Sequence, residues 1–259
     1  MTGPLAEAFS TGYERMAAWS DLLDAINVFP VADADTGRNL RVSLAPLKAV
    51  GAKPELDRRL LITATGNAGN IAAAFFACFT AVDNPVRMGP AAVEGARAAW
   101  AALAAPQPGT MLSVFDALSD VLDKRSQPLG PEGAMEVIGH LKDTVIRTRD
   151  QLPALSTARV VDAGALGMYL FFEGFLICLT GGKLAFPSPM AVFDGFLDVI
   201  ASGEGLHSEG YCIDAAIRLN HGVDDAAGIV SGLGSSVVAQ VDDGLLKVHL
   251  HADRVDDTR

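Results

Sequence analysis

Asp33 and Asp35 stand two residues apart in the stretch INVFPVADADTGRNL, residues 26–40. Two carboxylates this close, on chain bent by Pro30 and Gly37, can converge on one hard cation. Magnesium suits such a pair, because it takes one or two carboxylates and shares its other positions with water and phosphate oxygens. Gly37 can adopt backbone conformations closed to other residues, letting peptide N–H groups at the next helix start face an anion. The stretch is thus a candidate magnesium–phosphate site; its residues equally fit a polar turn in which Asp35 caps a helix. In ATGNAGN (residues 64–70), Gly66 and Gly69 would let backbone approach phosphate, although a structural helix–helix turn explains them too. Thr110 in PGTML and Asp162 in VVDAGALG each precede a helical pattern, where an ordinary N-cap accounts for them. His249 and His251, two apart on a strand, put both imidazoles on one face. With Cys212 on another strand they could bind zinc, or form a half-buried pair beside an unrelated core cysteine.

The elements that must position these groups are mostly helical. Leu5, Phe9, Tyr13, Met16, Trp19, Leu22, Leu23 and Ile26 recur at intervals of three and four. Similar patterns predict helices over about 39–50, 55–65, 71–82, 90–105, 111–122, 134–152 and 165–179. Nothing before residue 180 alternates with period two, so the first part reads as an all-helical unit of about eight helices. After Gly181-Gly182 the pattern changes. A linker and a helix over 190–200 lead to a strand over 210–219, a helix over 224–233, and a hairpin of 237–241 with 245–251 across Asp242-Asp243-Gly244. The predicted organisation is a helical domain over 1–182, a linker and helix over 183–205, and a small α/β domain over 206–259.

Half of the 259 residues are apolar and a fifth charged, enough to build a sizeable core. The net charge of −11 argues against a nucleic-acid surface and offers no basic patch to an anionic membrane. Three scattered cysteines point to a reducing, cytoplasmic setting rather than a disulfide framework. The first residues lack a signal-peptide pattern. The most apolar run, 165–179, is interrupted by Glu173 and too short to span a bilayer. His140, His207 and His221 read as surface residues.

The wording of the acidic stretch resembles the NVFPVPDGDTGTN motif of the fatty acid kinase A subunits, within the wider family of the nucleotide-binding L subunit of dihydroxyacetone kinase. It departs from that motif at Ala32, Ala34 and Arg38. ATGNAGN is similar to the family's ARGNSG loop, with Ala68 in place of serine. PGTML and VVDAGALG match two more loops in the same order, and Tyr211-Cys212 with KVHLH (residues 247–251) resembles the start of that family's middle domain. The resemblance implies a barrel of eight antiparallel helices with ATP or ADP at one end, followed by a small α/β domain. Asp33 and Asp35 would be catalytic and, with Asn27, would hold magnesium. Thr36, Gly37, Arg38, Asn39, Gly66, Asn67, Ala68 and Gly69 would face the phosphates, while Thr110, Asp162, Ala163 and Gly164 would enclose the nucleotide. Cys212, His249 and His251 would hold a zinc ion. The implied activity is phosphoryl transfer to the carboxylate of a fatty acid presented by a separate lipid-binding protein, with a homodimer plausible through an open sheet edge. Two alternatives stay open: a dihydroxyacetone-kinase-type subunit that retains ADP, and a catalytically silent nucleotide-binding or interaction module.

Overall fold

The computed structural model describes residues 3–125, 127–183, 185–198, 211–219, 226–242 and 244–252. Proline opens many of the helices, because its fixed φ suits the first turn and its missing N–H is not needed there. It does so in α1 (Pro4–Ala17), α4 (Lys53–Thr63), α8 (Pro131–Gln151) and α9 (Pro153–Ala158). Pro153 also stops α8, since it has no N–H to continue the ladder. The 4–26 periodicity is broken at Ala18-Trp19, so α1 is followed by a separate α2 (Ser20–Ala25). The helix expected over 39–50 starts earlier, as α3 (Thr36–Ser43), and finishes in a short 3-10 turn over Ala45–Ala49. Next come α5 (Gly66–Phe79), α6 (Met88–Ala101), α7 (Met111–Asp123) and α10 (Ala163–Leu179).

A phenylalanine cluster ties α1, α5, α7 and α10 together. The Phe75 and Phe115 rings stack with centroids 4.0 Å apart, and Phe9 lies 4.9 Å from Phe175. Helix α10 is buried along almost its whole length, as a helix apolar on all sides must be. Its one acid, Glu173, accepts from the Tyr169 hydroxyl at 2.9 Å and pairs with Arg15 at 2.8 Å. Burial first, and then the Glu173 charge, push the Tyr169 phenol upward.

The helical core does not stop at residue 182. Phe193 and Leu197 are buried within it, beyond the short α11 (Pro189–Val192) where a longer helix over 190–200 was expected. Leu197 also bridges Val160 as an isolated β pair. The small domain is a three-stranded antiparallel sheet of β1 (Tyr211–Arg218), β2 (Ser235–Asp242) and β3 (Leu245–Ala252) in the order β1-β3-β2, with α12 (Ala226–Val230) on one face. That face buries Val230, Val237, Leu246, Val248 and Leu250. The other face lies against α5, with Val238 buried in the helical core. The outer edge of β2 is covered as well: Ala104 N–H donates to Val237 O at 3.2 Å and Ala239 N–H to Ala102 O at 3.0 Å. Among the described residues the chain is therefore mostly helical, with one small sheet docked on the helices. Among the described residues, no helix is long and apolar enough to cross a membrane.

Candidate functional site

The acidic loop joins α2 to α3, with a cis Phe29–Pro30 bond at its start and Ala34 at φ +52°. Asn27, itself buried, donates through Nδ2 to Asp33 Oδ1 at 2.6 Å. Asp33 stands at the surface, but partial loss of hydration, then the neighbouring Asp35 charge, raise its pKa above the usual carboxylate range. A divalent cation between the two carboxylates would relieve that repulsion on Asp33. Asp35 occupies the N-cap position of α3, yet its side chain makes no capping bond. The cap comes from Asp24, which accepts from Gly37 N–H at 2.7 Å and Arg38 N–H at 3.1 Å. Burial raises the Asp24 pKa and those two bonds pull it back. The expectation that the N–H groups of residues 37 and 38 face phosphate is therefore corrected, since they already serve the α2–α3 contact. The Arg38 side chain is exposed and bonds Ala34 O.

A cavity of about 220 Å³ opens beside this loop. Asn27, Asp33, Asp35, Thr36 and Asn39 line it, as do Gly66, Asn67 and Ala68, Thr110, and Asp162 and Gly164. Four segments far apart in sequence thus meet on one space, each at or beside the N-terminal end of a helix. Gly66, at φ +65°, lies so close to Asn39 that an added Cβ would be 2.0 Å from its Nδ2. Asn67 Oδ1 is buried without a hydrogen-bond partner among the described residues. Gly37, Arg38, Gly69 and Ala163 stand off the cavity. Gly69 instead lets α5 pack on α3, with Ser43 Oγ 2.0 Å from the place a Cβ would take. Thr110 and Asp162 do cap helices, accepting from Leu112 N–H at 3.4 Å and Ala165 N–H at 2.7 Å. Capping and cavity lining coincide in both. Burial lifts the Asp162 carboxyl to about 7, against the pull of its backbone N–H donors. Phe29, Ile71, Leu103 and Met111 give the cavity an apolar side.

The second domain closes the same space. His249 and His251 line the cavity, with ring centroids 5.1 Å apart. His249 Nδ1 lies 3.3 Å from Asp214 Oδ2. Asp214 also accepts from Thr65 Oγ1 at 3.0 Å and from Gly66 N–H at 3.3 Å. Burial works to raise its pKa, but the His249 contact and these bonds outweigh it and leave the carboxyl at about 2. Among the described residues, no three His, Cys, Asp or Glu side chains gather as a metal centre, so a zinc site finds no support here. The Cys212 side chain that such a site requires lies outside the described residues, although its backbone pairs with His251 across β1 and β3. His207 and His221 also lie outside the described residues, and His140 is exposed on α8.

Sequence reasoning missed Asp24 and Asp214. Asp24 looks like any polar residue of an amphipathic helix. Asp214 carried a faint signal, being the lone acid in the otherwise apolar run Ile213–Ile217.

Comparison with known proteins reaches the same region of the chain. A DAK2 domain model matches residues 30–177, more than half of the sequence. The chain belongs to the DAK2 domain family. DAK2 domains are the nucleotide-binding, DhaL-like domains of dihydroxyacetone-kinase-type subunits, which gives this part of the chain a kinase-type role at that coarse level. The match spans the acidic loop, ATGNAGN, PGTML and VVDAGALG, hence every cavity residue of the helical domain except Asn27 and Phe29. Protein YloV of Bacillus subtilis is 28% identical over 284 aligned residues, covering 96% of this chain and 50% of that protein. An uncharacterized protein of Staphylococcus epidermidis is 26% identical, covering 97% of this chain and 51% of its own length. Another, from Staphylococcus saprophyticus, is 24% identical with similar coverage. The chain spans about half the length of these curated relatives.

Proposed function

We propose that this DAK2 chain binds ATP with magnesium and transfers a phosphoryl group to the carboxylate of a fatty acid presented by a separate lipid-binding protein, giving an acyl phosphate. The observation that carries the reading is the meeting of Asp33 and Asp35 with Gly66, Asn67 and Asp162 on one cavity. Magnesium held by Asp33 and Asp35, with Asn27 beside them, would neutralise charge on the phosphates. Thr36, Asn39 and the first turn of α5 would face the phosphate oxygens, and the apolar side by Phe29, Ile71 and Met111 suits a base. Phosphoryl transfer asks mainly for positioning and charge neutralisation. A carboxylate acceptor is already ionised at neutral pH, so no side chain has to remove a proton from it. His249 and His251 bring two imidazoles to the cavity wall.

Calorimetric titration with ATP and magnesium tests the binding step: the chain should bind, and Asp35→Ala should abolish binding. ATP consumption with hydroxylamine trapping, with and without a fatty-acid-loaded binding protein, tests the acceptor. Hydroxamate that forms only with the loaded protein supports the reading. ADP retained through purification and not exchanged for ATP would favour the dihydroxyacetone-kinase-type role instead.

A further inference from the structure

Helix α5 begins at the cavity but does not cap itself, for the side chain of its N-cap residue Thr65 makes no capping bond. An α-helix leaves its first N–H groups without intrahelical partners, and something must satisfy them. Here the partner arrives from the other domain, 148 residues further along the chain: Asp214 Oδ2 accepts from Gly66 N–H and from the Thr65 hydroxyl. The sheet grips that carboxylate from behind, with His249 Nδ1 at 3.3 Å and Lys247 Nζ at 3.6 Å. Lys247 and His249 are almost fully buried, and only 26% of the Asp214 side chain is exposed. Gly66 and His249 both line the cavity, so Asp214 links two of its walls, one from each domain.

We propose that Asp214 is a positioning residue of the nucleotide site: by capping α5 from the second domain, it holds the Gly66–Ala68 turn in its binding shape and makes nucleotide affinity depend on the docked sheet. The inference rests on the nucleotide reading above. The sheet has anchors besides Asp214. These are the backbone bonds of β2 to residues 102–104, buried Val238, and Gln240 Nε2 donating to Asn70 O. Replacing Asp214 should therefore loosen the turn without undocking the sheet.

The test compares the full chain with Asp214→Asn and Asp214→Ala, reading the Kd for magnesium–ATP by calorimetry and amide exchange over residues 66–70 without nucleotide. Asn keeps a capping oxygen and loses the charge, whereas Ala loses both. Asp214→Ala should bind about fivefold more weakly, the equivalent of one lost cap, and exchange faster over 66–70. Asp214→Asn should restore both toward wild type. Nucleotide should in turn slow exchange over residues 211–218, because coupling between two sites is reciprocal. Unchanged or tighter binding by Asp214→Ala, or unchanged exchange over 66–70, overturns the inference and leaves the nucleotide reading standing. No binding by any variant, wild type included, overturns both.

Discussion

At the residue scale, buried or strained groups around the cavity set two expectations. Asp162 keeps its proton up to about pH 7 in the folded chain, against an ordinary value of 3.8. The folded state therefore binds this proton more tightly than the unfolded state. The resulting stabilisation is complete at low pH and is lost as pH rises from about 4 toward 7. Asp162→Asn keeps a side-chain oxygen for the Ala165 N–H but cannot titrate. Urea denaturation across that range should show stability falling less steeply with pH in the variant, and equal slopes would count against a buried, protonated Asp162. Ala34 sits at φ +52°, where an L-residue costs about 1 kcal/mol more than glycine. The acidic motif this sequence resembles has glycine at the same place. Ala34→Gly should therefore raise stability, by up to about 1 kcal/mol once glycine's freer unfolded chain is counted, and a loss on substitution would show that the loop tolerates Ala34 without strain.

At the element scale, the arrangement depends on close helix contacts that only glycine permits. An added Cβ at Gly37 would stand 2.0 Å from Ser20 O, a backbone atom that cannot rotate away. Gly37→Ala should push α3 off α2, break the Asp24 cap and cost at least about 1–3 kcal/mol, read as a drop in the urea midpoint. A variant as stable as wild type would mean that α2 moves freely. Much at this scale was legible in the sequence. Leu5, Phe9, Tyr13 and Met16 all turned out buried on α1, because period 3.6 is written directly into an amphipathic helix. Strands β1 to β3 fell within a residue or two of their expected limits, since Gly244 and the alternation before it mark a hairpin. Contacts between distant segments were not legible. Asp24 on Gly37, Asp214 on Gly66 and the His pair on the acidic cavity join residues that no local pattern connects. The sequence presented two separate constellations, acidic loop and His pair, and only the docking of the sheet on α5 makes them neighbours. Helix 190–200 was expected from an apolar pattern that in fact serves Phe193 and Leu197 as an irregular strap.

At the scale of the whole molecule, that strap makes the helical unit larger than its helices. Phe193 is fully buried and meets Tyr169 edge-on, with centroids 5.1 Å apart at 88°. The Tyr169 hydroxyl binds Glu173, Glu173 pairs with Arg15, and Arg15 donates back to Pro187 O at 2.7 Å. Arg149 lies over the Phe196 ring at 4.4 Å. The segment 186–197 is thus fastened at both ends to α1, α8 and α10. Truncating a buried phenylalanine removes its transfer energy and leaves a cavity, together about 3–5 kcal/mol. Phe193→Ala should therefore destabilise the entire helical domain in one cooperative transition. Neither Phe193 nor Leu197 lines the cavity, so on the proposed function magnesium–ATP affinity measured well below the unfolding temperature should stay unchanged. Urea unfolding followed by far-ultraviolet dichroism, with calorimetric titration of the same variant, separates the two effects. A small loss of stability would mean that the strap rests on the helices without belonging to their core.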